Sequence, residues 1–327
     1  MLRTKVIYTS AFIAFFLCQK VAARPSKEEK EARREAFWGL FADTYRAINC
    51  LATPEEGSAC AQVAITDAMK HSKNVDQVIN RDEFEYTSSL LSVRQLVDRI
   101  DLSAASDSLL KIKNRLIEDF VSDSAPALVP NLEIGAQKYK EHCFSCHGGS
   151  QGVEGPLSQR LKFRPKSLMA DWRRASQNPL GIYAVSIHGV DGAEMLPMVD
   201  VLDVDELWSI AFHVASSLSF NVSSEVSPDF KSWLEVYAQN FSLVNLAQQS
   251  DNDLIGSLRS LGRDCGTCLG EVAYLRTEWL PRAPRLGERA QDERKASEAR
   301  GLTILIAMIA ITSIGFGFVL SRRSRIK

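Results

Sequence analysis

Cys143-Phe144-Ser145-Cys146-His147 is the stretch that decides how this chain is read. Two thiols three positions apart can reach the two vinyl groups of a single porphyrin. The side chain that follows is then carried beneath the metal as an axial ligand. A zinc site would need a second ligand pair, for which Cys265 and Cys268 are available. The spacing of the five residues, with an imidazole directly after the second thiol, favours one haem c per chain. Cys143 and Cys146 are its expected covalent anchors, and His147 its proximal iron ligand.

Working outward, Gly135 and Tyr139 stand at i and i+4 just before the thiols, on one face of a helix. A small residue beside an aromatic lets two helices cross closely. Leu207 to Val214, entered through Asp203 and Asp205, reads as the second helix of that crossing. Between the two lie Met195 and Met198, either of which offers a thioether to the distal side of the iron. Met195 is the preferred ligand, with Met198 and His188 as alternatives. His142 adjoins Cys143 and points away, and His213 belongs to the helix crossing.

With these residues on the page, 132–218 resembles a class I monohaem cytochrome c. Gly155-Pro156-Leu157, Arg164-Pro165 and Ile187-His188-Gly189-Val190-Asp191-Gly192-Ala193-Glu194-Met195 resemble one branch more closely: the cytochrome domain fused to bacterial high-affinity iron permeases. Met195, Leu202 and Trp208 reproduce that branch's spacing of seven and thirteen residues. Glu83-Phe84-Glu85-Tyr86 and Leu246 to Leu254 are similar to its flanks. The sequence departs where Leu196 separates Met195 from Pro197. It also lacks the permease's Arg-Glu-x-x-Glu pattern, since Arg34-Glu35 has no second Glu.

The resemblance implies that the Pro156 carbonyl orients the His147 ring, as outer partners of metal ligands do. It also implies a one-electron carrier rather than an enzyme, serving iron uptake by a permease in a separate chain. Arg164 and Trp172 are candidate partners of the haem propionates. A respiratory carrier feeding a terminal oxidase and a haem-bearing scaffold or sensor are the alternative readings. A haem peroxidase would need a second attachment motif, and Cys265-Gly266-Thr267-Cys268 is followed by Leu269 rather than His.

The flanks read as helical, so the expected fold is all-α. Phe37, Phe41 and Tyr45 recur at i, i+4 and i+8, and Leu109, Ile112 and Leu116 continue a helical period. Residues 24–120 form an expected helical domain, 121–131 a linker broken by Pro126 and Pro130, and 132–220 the haem-bearing domain. Residues 221–300 follow as a helical region, with Phe230 to Leu261 as helix and Pro281 to Arg300 as an extended stalk. In an oxidising compartment Cys50 pairs with Cys60 across a turn, and Cys265 pairs with Cys268.

Residues 1–23 read as a secretory signal, with Arg3 and Lys5 before an apolar stretch. Gly301 to Leu320 carries no ionisable side chain and is long enough to cross a bilayer. Arg322, Arg323, Arg325 and Lys327 in the 321–327 tail then place the C-terminus in the cytoplasm and the bulk of the chain in the periplasm, anchored to the inner membrane. The formal net charge of −1 gives no basis for nucleic-acid binding.

Overall fold

A computed structural model describes residues 27–52, 57–79, 84–120, 124–149, 154–165, 167–168, 177–217 and 225–285. Every regular element among them is helical. The expected signal segment and the apolar stretch 301–320 lie outside the described residues. Among the described helices none is long and apolar enough to cross a membrane.

The N-terminal layer is two helical hairpins. Helices α1 (Lys27–Leu51) and α2 (Gly57–Ile79) lie side by side, closed at the hairpin end by the Cys50–Cys60 disulfide. The stripe of Phe37, Phe41 and Tyr45 faces the core, where Phe37 stacks on Phe120 with ring centroids 4.7 Å apart. The second hairpin is α3 (Tyr86–Asp98) and α4 (Leu102–Asp119). Glu85 does not cap α3 with its side chain. Asp76 reaches across from α2 and accepts from the amides of Tyr86 and Thr87, at 2.8 and 3.0 Å. A borrowed cap of this kind satisfies orphan N–H groups and ties the two hairpins together.

The segment carrying the paired thiols contains α5 (Leu132–His142), α6 (Phe144–His147), α7 (Pro179–His188) and α8 (Val204–Ser217). Helices α5 and α8 cross at Gly135, where an added Cβ would stand 2.1 Å from the Ser209 carbonyl oxygen. Only a glycine permits that approach. Asn131 caps α5 by accepting from the amides of Glu133 and Ile134, and its own amide donates to the Ser209 hydroxyl. Helix α7 is buried from Pro179 to Ala184 between α1 and α8. Tyr183 stacks on Trp208 at 4.0 Å and meets the edge of Trp38 at 4.9 Å, joining three helices through aromatic contacts.

The remaining helices are α9 (Pro228–Val236), α10 (Leu243–Gln248), α11 (Asp251–Ser260) and α12 (Leu269–Tyr274). The continuous helix expected over Phe230 to Leu261 is interrupted twice. Ser242 and Ser250 each turn a side-chain oxygen onto a following amide, and Ser250 with Asp253 forms a reciprocal capping box. The stalk expected from Pro281 also differs at its start. Trp279, Leu280 and Ala283 are buried, the Trp279 indole donates to the Phe241 carbonyl, and the Leu243 amide donates to the Pro284 carbonyl. Apolar burial therefore holds the chain on the body as far as Pro284. The expected linker is pinned as well, with Ser124 and Pro130 buried and the Gln248 amide donating to Ser124 at 2.7 Å.

Candidate haem-binding site

Helix α5 delivers Cys143 as its C-terminal cap, the Cys143 amide donating to the Tyr139 carbonyl at 2.8 Å. The Cys143 carbonyl then accepts from the amides of Cys146 and His147, at 3.2 and 2.9 Å. This single helical turn carries the two thiols and the imidazole. Tyr139 fixes it from behind, its buried hydroxyl donating to the Gly148 carbonyl at 2.7 Å. A second strap comes from the next loop, where the Leu157 amide donates to the Ser145 carbonyl.

Both thiols are half-buried and unbonded, while Cys265 is joined to Cys268 as Cys50 is to Cys60.

The candidate distal ligands lie on the loop after α7. Helix α7 ends at Gly189, whose φ of +76° is one a side chain rarely adopts. A Cβ there would also meet the Met195 carbonyl at 2.7 Å. The loop closes through the Val190 amide, which donates to that same carbonyl at 2.9 Å. Met198 opens a 3₁₀ turn whose carbonyl accepts from Val201 and Leu202, and it packs partly against the core. Met195 is half-buried. The Glu194 carboxylate accepts from the Lys162 amide at 2.8 Å, which lowers its pKa and ties this loop to the 158–165 segment.

Exposed apolar side chains cluster in sequence around these loops: Phe144, Leu157, Phe163, Leu196, Val199 and Val201. They are apolar surface of the kind that a porphyrin covers. The donor set of two thiols, an imidazole and thioethers is soft sulfur with nitrogen, which suits haem iron attached through thioether bonds. The residues therefore fit the group.

Residues 130–214 match the family model described as cytochrome C oxidase, cbb3-type, subunit III. This segment is a cytochrome c domain. It binds covalently attached haem c, and its chemistry is electron transfer. No curated protein and no solved structure matches the chain.

The other sequence candidates are placed as follows. Arg164 donates to the Glu154 carboxylate, at 2.9 Å through Nε, so the guanidinium expected at a propionate has a protein anion as its partner here. Pro156 is exposed beside the Gly155 backbone, which lies against Ser145 and Cys146. Trp172 falls outside the described residues. His142 sits next to the Glu141 carboxylate, and His188 faces His71, with ring centroids 4.8 Å apart. Sequence reading did not single out the Tyr139 hydroxyl or the Glu194 carboxylate as positioning groups, because their partners are backbone atoms.

His213 packs at the α5–α8 crossing, its Cβ close to Gly135 and its ring 5.9 Å from that of Tyr139. Burial pushes its pKa down to about 4. A pKa lowered on folding means that the unfolded chain binds the proton more tightly. The stability gained is full above the ordinary histidine pKa and is lost as pH falls toward 4. After discounting for partial exposure, that loss is about 2 kcal/mol. Denaturant unfolding at neutral pH and near pH 4.5 should show a larger acid loss for the wild type than for His213→Gln. Equal losses would contradict a neutral, buried His213.

Proposed function

We propose that this protein is a periplasmic, membrane-anchored carrier that takes one electron at a time from ferrous iron oxidised at a separate permease. The observation carrying the reading is the donor set: two thiols and an imidazole on the Cys143–His147 turn, with Met195 and Met198 on the loop after α7. Bound haem c supplies a one-electron ferric–ferrous couple when both axial positions are filled. His147 and Met195 are the proposed axial ligands, with Met198 as the nearest alternative. His188 is the less suitable candidate because its imidazole is engaged beside His71. Pro156 is the proposed acceptor from the His147 ring.

The assignment to iron rests on the likeness at Gly189 to Met195 and on the spacing from Met195 to Leu202 and Trp208. A permease that oxidises ferrous iron releases one electron per ion and needs an acceptor at the same membrane surface. A single-helix anchor keeps such an acceptor at high effective concentration. The helical layers on either side of the domain, packed on it through α1 and α7, are proposed to present it to that partner.

A second reading has one observation in its favour. The matching family model is named for an oxidase subunit, which points to delivery of electrons to a terminal oxidase. The two separate cleanly in cells. Deleting the protein should lower ferrous iron uptake under iron limitation and leave oxygen consumption nearly unchanged. His147→Ala should reproduce the deletion. Normal iron uptake with reduced oxygen consumption would establish the respiratory reading. A harmless His147→Ala beside a harmful deletion would reassign the protein as a scaffold.

A further inference from the structure

Away from the paired thiols, three helices bring Asp43, His71 and His188 together where the N-terminal layer meets the cytochrome domain. Each offers one ligand atom, and these atoms lie within 4.8 Å of one another. Asp43 Oδ2, His71 Nε2 and His188 Nε2 are all shielded from solvent and make no hydrogen bond. Three orphaned polar atoms converging on one point are costly unless something pairs them. We infer that Asp43, His71 and His188 bind a divalent first-row transition-metal ion, at a second site separate from the haem iron.

The geometry suits such an ion. Ligands about 2.1 Å from a tetrahedral metal stand roughly 3.4 Å from one another, and His71 Nε2 lies 3.7 Å from Asp43 Oδ2. That gap is too long for a hydrogen bond and close to the span across a metal. Two imidazoles and one carboxylate are the borderline donors that zinc, iron, copper and nickel take, rather than calcium or magnesium.

The ligands are also held in place. Arg46 donates to Asp43 Oδ1 at 2.6 Å, leaving Oδ2 turned to the histidines. The His71 ring rests on Gly39, where an added Cβ would stand 2.7 Å from Nδ1. The ring planes of His71 and His188 meet at 87°. Charge around the cluster leans negative: Asp67, Asp191 and Glu35 act on His71 in addition to Asp43, against the cations Arg46 and Lys70. Burial lowers the pKa of both histidines, favouring the neutral form that ligates. The inference does not depend on a role in iron uptake. It makes His188, the last residue of α7, a strut between the N-terminal layer and the Met195 loop.

The test uses the purified, haem-loaded full chain after dialysis against a chelator, titrated with Zn²⁺ by calorimetry. One Zn²⁺ per chain should bind, and haem content should not change. His71→Gln and His188→Gln should each weaken binding about a hundredfold or more, beyond the ~10–100-fold typical of outer-shell changes. His142→Gln should bind like wild type, and an intact haem spectrum and helical dichroism will confirm that the variants fold. Stoichiometric binding that survives both substitutions would overturn the site, as would no binding above that of the double variant.

Discussion

Gly135→Ala will destabilise the protein although alanine is the better helix former. On propensity alone the change should help by about 1 kcal/mol, because glycine in a helix interior is disfavoured. Packing decides against it. The new methyl would stand 2.1 Å from the Ser209 carbonyl oxygen and 2.8 Å from His213 Cβ, and neither backbone nor Cβ can swing aside. Helices α5 and α8 would have to separate, and overpacking of this kind costs about 1–3 kcal/mol or more. Gly135→Leu should cost more still and loosen the turn that holds Cys143 and Cys146, since that turn hangs from the end of α5. Thermal unfolding of both variants, with haem content measured alongside, provides the check. A Gly135→Ala protein as stable as wild type would mean that the two helices do not touch there.

Arg276→Met should produce a loss of similar size in a different part of the fold. Arg276 is fully buried, yet it sits in a polar cage. Its guanidinium donates to Asp251 at 3.3 Å and to the carbonyls of Leu246 and Gln249 at 2.6 and 2.7 Å. The Ser216 hydroxyl donates back to the Arg276 carbonyl, linking α8 to the C-terminal helices. Burial draws the Arg276 pKa down, but the charge stays because Asp251 lies beside it. Removing the cation strands a buried carboxylate and two carbonyls, a loss of about 3–5 kcal/mol. Adding Asp251→Leu to Arg276→Met should restore part of that, since the anion is then no longer left alone. Denaturant unfolding of the two single variants and the double gives the coupling directly. Additive losses would contradict a buried pair.

The chemistry of the site was legible in the sequence to the extent that it is local. Cys143, Cys146 and His147 fall on one turn, and Gly135 with Tyr139 is a one-face pattern, so both could be read from spacing. The stripes of α1 and α4 were legible for the same reason. Helix α7 was not, because Leu180 to Ala184 is buried on every side and shows no amphipathic period. The breaks at Ser242 and Ser250 depend on side-chain caps that a hydrophobic pattern does not contain. Arg276 looks like a surface residue until Asp251 and two carbonyls are brought to it. Arg164 meets Glu154, ten residues earlier, in a pairing that the sequence spacing does not announce. The meeting of Asp43, His71 and His188 requires the packing of α1, α2 and α7, which no local pattern encodes.

The proposed carrier holds a haem c with both axial positions filled, as a peroxidase or gas sensor does not. Carbon monoxide added to the ferrous full-length protein tests it most directly, because it binds only where a position is open or readily vacated. The wild-type absorption spectrum should stay unchanged, Met195→Ala should shift at once to a carbon monoxide complex, and Met198→Ala should behave like wild type. A wild-type protein that takes up carbon monoxide as readily as Met195→Ala would contradict the account.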